Sequence, residues 1–75
     1  MSVTDLSRRI LEVLDEQPDL SDIEVSQAIF GADAGYHYLA VYGEIIRLKD
    51  ARQLAYRASG TPGILHWYRM DEEGS

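Results

Sequence analysis

The chain has 75 residues, no cysteine and a formal net charge of -6. This length accommodates one small domain, and the lack of cysteine excludes a disulfide framework and a thiolate metal site. No apolar run approaches the roughly 20 residues that span a bilayer, and the first residues lack the basic segment and apolar core of a signal peptide. We therefore expect a cytoplasmic protein that does not enter a membrane.

The first predicted element is a helix that runs from Thr4 or Asp5 to Glu16. Thr4 is placed to cap its first turn, and Pro18 restricts the residue before it and so ends the helix. Apolar residues recur along this segment at three- and four-residue steps, which predicts one buried stripe. The stripe consists of Leu6, Ile10, Val13 and Leu14.

The second predicted helix begins at a capping box and ends near Phe30. In this pattern the hydroxyl of Ser21 accepts from a backbone N–H of the first turn, while Glu24 reaches back to the N–H of Ser21. Gly31 can adopt the left-handed conformation that closes a helix, and Asp33 is placed to cap the next one. The residues predicted to face inward are Val25, Ala28 and Ile29.

The third predicted helix, from Gly35 to Lys49 and ending near Asp50 or Ala51, carries two kinds of side chain. Its three- and four-residue spacing predicts a buried stripe of Tyr38, Val41, Tyr42, Ile45 and Leu48. The residues off that stripe are predicted to face outward: Tyr36, His37, Ala40, Gly43, Glu44 and Arg47. Glu44 and Arg47 stand at i and i+3, which indicates a surface ion pair rather than a catalytic acid.

Two strands are predicted after the third helix, joined by the turn residues 59–63. Gln53–Ala58 alternates in polarity, and Ile64–Met70 is rich in aromatic and branched residues, so the two form a hairpin. The second strand has two interpretations. The favoured one points Ile64, His66, Tyr68 and Met70 inward and leaves Trp67 partly exposed. The other points Leu65, Trp67 and Arg69 inward.

The order helix, helix, turn, helix, strand, loop, strand resembles the winged helix-turn-helix regulators of bacteria, archaea and phages. The resemblance covers nearly the whole chain and is carried by Ile10–Leu14, Ser21–Ile29, Val41–Leu48, Gln53–Leu54 and Trp67–Met70. It implies an α+β fold with three helices and a C-terminal β-hairpin wing. Residues 1–70 would form this single domain, followed by a flexible acidic tail, residues 71–75.

The resemblance also implies sequence-specific binding of double-stranded DNA by a small transcriptional regulator. The third helix would lie in the major groove, and the wing would rest on the backbone or the minor groove. The DNA-binding residues implied by position and charge are Tyr36, His37, Ala40, Glu44, Arg47, Lys49, Arg52, Arg57, Ser59, Thr61 and Arg69. In this chain the third helix is poor in Ser, Thr, Gln, Asn and Arg, the usual contacts to bases and phosphates.

The charges are unevenly distributed. Residues 1–35 hold eight acids and two arginines, whereas residues 36–70 hold five basic residues and two acids. The basic half therefore coincides with the candidate recognition helix. Lys49 is the only lysine, and an acid-rich, lysine-poor composition fits a protein adapted to high salt. Because one domain supplies so few basic residues for contacts with DNA phosphates, we predict a homodimer that binds two DNA half-sites. The aromatic residues are candidate dimer contacts.

The alternative hypothesis is a winged-helix module that binds a protein partner instead of DNA, including an inhibitor that mimics DNA. We expect no enzyme activity, since a domain of this size lacks the concave pocket that enzymes use. We also expect no metal and no cofactor. His37 and His66 are the only imidazoles and lack the spacing of a metal site, and the glycines do not follow a strand as a phosphate loop requires.

Overall fold

A computed structural model describes residues 3–70 of the chain, so the predicted flexible tail at residues 71–75 lies outside the described residues. The helices are α1 (Val3–Glu16), α2 (Asp22–Phe30) and α3 (Ala34–Asp50), with one turn of 3₁₀ helix (Gly31–Asp33) before α3. The strands are β1 (Leu20–Ser21), β2 (Leu54–Ala58) and β3 (Leu65–Arg69). They form an antiparallel sheet in the order β1-β3-β2. The predicted α+β class is confirmed.

The start of α2 is held by the predicted capping box. The hydroxyl of Ser21 accepts a hydrogen bond from the N–H of Glu24 at 3.3 Å, and the N–H of Ser21 donates to the Glu24 carboxylate at 2.9 Å. This second bond stabilises the charged carboxylate and lowers the pKa of Glu24. The predicted cap of α1 is wrong, because that helix begins at Val3 and Thr4 lies inside it.

The connection from α2 to α3 is short and tightly turned. Gly31 is the C-cap of α2, as predicted, and its N–H donates to the carbonyl of Gln27. Its φ of +58° is positive, but its ψ of -122° differs from the left-handed helical conformation that was expected. Asp33 occupies the predicted position before α3, but its side chain accepts no capping hydrogen bond from the described first turn. Ser26 is buried and donates to the carbonyl of Ala34 at 2.8 Å, whereas Ala28, predicted to face inward, is exposed. The two helices are therefore joined by a buried hydrogen bond as well as by apolar packing.

One hydrophobic core lies between the helices and the inner side of the sheet. Every helix contributes to it, and so do β2 and β3. Its buried members are Leu6, Ile10, Leu14, Val25, Val41, Ile45, Leu48, Leu54 and Trp67. Since all three helices bury a side against this core, the opposite side of each is left to solvent.

Trp67 is only 2% exposed, so the favoured interpretation of the last strand is wrong. Ile64 and Met70 are exposed, while His66 and Tyr68 are half-buried. The reason is that β3 is the central strand. Its inner side lies over the helices. There the large indole of Trp67 removes more apolar surface from water than the side chains of His66 or Tyr68 would.

The sequence analysis missed β1, the strand that makes β3 central. β1 pairs Leu20 with Trp67 and Ser21 with His66, and the N–H of Asp19 donates to the carbonyl of Trp67 at 2.9 Å. A strand of two residues is too short to show an alternation of polar and apolar side chains. It therefore forms through tertiary pairing rather than through a local pattern. The pairing of β1 with β3 connects the segment between α1 and α2 to the hairpin.

Candidate interaction surface on helix α3

Helix α3 lies across the core and divides cleanly into a buried and an exposed side. Val41, Ile45 and Leu48 are buried, as the three- and four-residue spacing predicted. Of the other two residues in the predicted stripe, Tyr38 is half-buried and Tyr42 is exposed at the edge. Eight of the 17 residues of α3 are exposed and available for contact with another molecule.

The exposed side carries an apolar strip, which we call the α3 face. Tyr36 is 89% exposed and Leu39 is 79% exposed, and they are the two most exposed large hydrophobic side chains among residues 4–70. Small residues occupy its middle, and a basic residue occupies its C-terminal end. The α3 face consists of Tyr36, Leu39, Ala40, Gly43 and Arg47, all of them exposed and spaced by three or four residues.

The α3 face contains no carboxylate, and the exposed Asp50 lies three residues beyond its C-terminal end. The only acid from Ala34 to Lys49 is Glu44, which is 5% exposed and accepts a hydrogen bond from the hydroxyl of Ser7 on α1. Arg47 also reaches its carboxylate, with Nη1 3.4 Å from Oε1, which confirms the predicted ion pair. The prediction that Glu44 faces outward is wrong, because α1 packs over that edge of α3 and supplies a hydroxyl donor.

The aromatic groups on the flanks of α3 are engaged with α2. The ring of His37 stacks on Phe30 with centroids 4.0 Å apart, so this half-buried imidazole does not project from the helix as predicted. The hydroxyl of Tyr38 donates to the carboxylate of Asp22 at 2.5 Å, which, with partial burial, raises the pKa of Tyr38 to about 12. Tyr42 stacks on Tyr38 at 6.2 Å. These contacts fix the orientation of α3 on α2.

The basic residues at the end of α3 are mostly paired. Lys49 places its ammonium 3.6 Å from Asp50 and 6.0 Å from the ring centroid of Tyr56. Arg52 follows the helix in the left-handed region, with a φ of +64°. Within residues 3–70, Arg52 alone among the basic residues forms no ion pair.

The basic residues of the sheet, Arg57 and Arg69, also form ion pairs with acids outside α3. Arg57 forms an ion pair with Asp19 and lies 5.8 Å from the ring of Tyr68. Arg69 forms an ion pair with Asp15 on α1. Arg57 follows Tyr56, whose ring packs on Trp67, and successive strand residues point to opposite sides, so Arg57 lies on the outer side of the sheet.

The turn between β2 and β3 is closed by hydrogen bonds among its own residues. The hydroxyl of Ser59 accepts from the N–H of Thr61 at 3.0 Å and lies 3.3 Å from its carbonyl. The same carbonyl accepts from the N–H of Ile64 at 3.1 Å, which closes the turn. These residues therefore stabilise the hairpin connection, and Thr61 remains exposed.

The structure thus brings together three of the residues predicted to contact a ligand, Tyr36, Ala40 and Arg47. It places Arg57 on the outer side of the sheet and Ser59 and Thr61 in the β2–β3 turn. The sequence analysis assigned no role to Leu39, although its position three residues after Tyr36 and four before Gly43 places it on the same strip.

The described residues show no sign of a metal site or a membrane span. Within residues 3–70, no three His, Cys, Asp or Glu side chains are grouped so that they could hold a metal ion. No helix in this range is long and apolar enough to cross a bilayer. Comparison of the chain with protein-family models, with curated proteins and with solved structures finds no match in any of the three.

Proposed function

We propose that this chain is a winged-helix interaction module that recognises a polypeptide through the α3 face. The element order α1-β1-α2-α3-β2-β3 and the sheet order β1-β3-β2 support this architecture, with β2 and β3 as the wing. The observation that carries the proposal is the exposure of Tyr36 and Leu39 on a strip without an exposed carboxylate.

The composition of the α3 face fits a protein partner. The centres of protein interfaces are depleted in charged residues and enriched in aromatic ones. Leu39 contacts water over most of its surface, and full burial of a leucine side chain stabilises a complex by about 1.5–3 kcal/mol. Ala40 and Gly43 lie beside it and allow the backbone of a partner to approach closely. The strip therefore offers apolar anchors with small residues between them.

DNA binding is the second candidate, and one observation favours it. Arg52 lies just beyond α3 without an ion pair among the described residues, so its guanidinium is available to a phosphate. The other six basic residues each lie within 4.0 Å of a carboxylate, and they point to different sides of the molecule. A phosphate would have to displace those carboxylates, and the α3 face offers few groups that read base edges.

A duplex titration separates the two candidates. We expect ¹⁵N-labelled full-length chain to show no shift changes on α3 or the hairpin when random-sequence duplex DNA is added at low salt. Arg52→Asn is the matched variant, because asparagine tolerates the left-handed conformation and retains the fold. Shift changes on α3 and the hairpin that decrease with salt and with Arg52→Asn would establish DNA binding and reject the proposal.

The positive test uses the α3 face itself. Immobilised wild-type chain should retain a specific polypeptide that Leu39→Glu releases, because the new carboxylate would be desolvated in the interface. Gln27→Glu is the matched control, since it adds the same charge at an exposed position of α2. A bound polypeptide that is retained or lost equally by both variants would show that the α3 face is not the contact.

A further inference from the structure

We propose that the polypeptide bound at the α3 face is a second copy of this chain, with the two α3 helices packed antiparallel across a two-fold axis. This inference rests on the proposed protein-binding function and names its partner. The axis passes between Ala40 and Gly43, the small residues in the middle of the strip. Small residues at a crossing point let two helix backbones approach closely.

The strip is self-complementary about this axis. The midpoint between Ala40 and Gly43 in the sequence is also the midpoint between Tyr36 and Arg47, which stand eleven residues apart, or roughly 16 Å along the helix. An antiparallel pair therefore places the ring of each Tyr36 opposite the guanidinium of Arg47 in the other copy. A guanidinium over an aromatic ring is attractive, and a two-fold interface makes this contact twice.

The charges of the chain favour contact at this strip over other surfaces. Each copy carries a formal net charge of -6, so two copies repel one another. Between Tyr36 and Arg47 the α3 faces meet without opposing acids, because Glu44 is buried. The same axis places the exposed Asp50 of each copy opposite the exposed Asp33 of the other, at the two ends of the contact. Arg47 brings an exposed cation to the contact, with its side chain 69% exposed.

The interface is small, which sets the expected strength of the dimer. α3 has 17 residues and is about 25 Å long. One helix pair of this length buries less than the roughly 800 Å² per partner of a standard interface. We therefore expect a weak dimer that strengthens with salt, because salt screens the repulsion between two acidic molecules. Binding to DNA would change with salt in the opposite direction.

Sedimentation equilibrium of the full-length chain tests the inference with Gly43→Leu. A Cβ at Gly43 meets no atom within 4 Å, so the monomer accommodates the substitution and gains helix propensity. The added side chain enlarges the exposed apolar surface but keeps two backbones apart at the crossing. We expect dimerisation to weaken about tenfold or more, as for residues at the centre of an interface. Gly35→Leu, on the same helix and away from the crossing, is the matched control and should leave the dimer unchanged.

The direction of packing is tested by cross-linking, which the absence of native cysteine makes specific. When Tyr36→Cys and Arg47→Cys chains are mixed and treated with a short bis-maleimide, the mixed product should exceed both same-variant products. Same-variant products in excess, a dimer unaffected by Gly43→Leu, or a monomer at all concentrations and salts would each overturn the inference. If the chain is monomeric, the proposed function is tested by the capture experiment alone, because a different polypeptide can still bind the α3 face.

Discussion

The hydroxyl of Ser7 on α1 donates a hydrogen bond to the buried carboxylate of Glu44 on α3. This contact holds two helices together and also turns the single acid of the central part of α3 away from solvent. The apolar character of the α3 face therefore depends on a residue thirty-seven positions earlier in the chain.

Ser7→Ala should lower the free energy of unfolding by about 1–3 kcal/mol, because it leaves a buried carboxylate without its hydroxyl donor. Urea denaturation measures the change. Arg8→Ala is the control, since the exposed Arg8–Asp5 ion pair is expected to contribute less than about 1 kcal/mol. Equal effects of the two substitutions would show that the Ser7 contact does not stabilise the fold.

Trp67, the single tryptophan, should emit as a buried indole and resist quenching by acrylamide. Trp67→Ala should cost about 3–5 kcal/mol of unfolding free energy, because it leaves a large cavity at the centre of a small core. The urea-unfolded chain provides the reference for full exposure. If quenching in the native protein matched that reference, Trp67 would face solvent and the opposite side of β3 would be buried.

The capping box should give the protein an acid-sensitive component of stability. The folded-state pKa of Glu24 lies below its ordinary value of 4.5, so this contribution is present above that pH and is lost as pH falls through the folded pKa. Glu24→Gln retains the reciprocal hydrogen bonds and should flatten the acid limb of a denaturation-against-pH curve. Ser21→Ala should cost about 1 kcal/mol at neutral pH. An unchanged acid limb in Glu24→Gln would contradict this assignment.

Tyr38 should make the free energy of unfolding depend on pH in the alkaline range. Its folded-state pKa is raised from 10.0 to about 12, so its contribution is present below pH 10 and is lost as pH rises between those values. Tyr38→Phe should remove this loss and weaken the tie between α2 and α3 at neutral pH. Thermal unfolding from pH 8 upward measures both effects. Tyr36→Phe, which alters an exposed hydroxyl, should leave the alkaline curve unchanged.

Gly43→Ala should raise the free energy of unfolding of the monomer by roughly 0.5–1 kcal/mol, because glycine in a helix interior is entropically costly. The space around its Cα is open, so no clash offsets the gain. Chemical denaturation of dilute protein measures the change. A loss of stability would indicate that this position is covered in the monomer and is not part of an exposed strip.

The features predicted correctly from the sequence arise from neighbours in the chain. The Ser21–Glu24 capping box, the closure at Gly31 and the buried stripe through Val41 and Ile45 depend on contacts within one or two helical turns. Such contacts form within the segment itself and do not depend on the rest of the chain, so residue spacing alone predicts them. The outward positions of Tyr36, Ala40 and Arg47 follow from the same spacing and are confirmed as exposed.

The errors concern residues at the border between two environments. Glu44 lies between the buried and exposed sides of α3, and its placement was decided by the arrival of α1 with Ser7. The cations predicted to act together were separated in the same way, since Asp15 and Asp19 draw Arg69 and Arg57 to other sides of the molecule. The i,i+3 spacing predicted the pair of Glu44 and Arg47, but no short-range pattern predicts ion pairs between segments as far apart as these.

By itself, the sequence determined the helices, the hairpin and the α+β class, because backbone hydrogen bonding and side-chain periodicity act over a few residues. The tertiary structure decided that β1 joins the sheet and that Trp67 enters the core. It also decided that Glu44, the acid in the central part of α3, is buried. These outcomes require segments far apart in the chain to meet, and the burial of apolar surface, rather than local preference, selects how they do so.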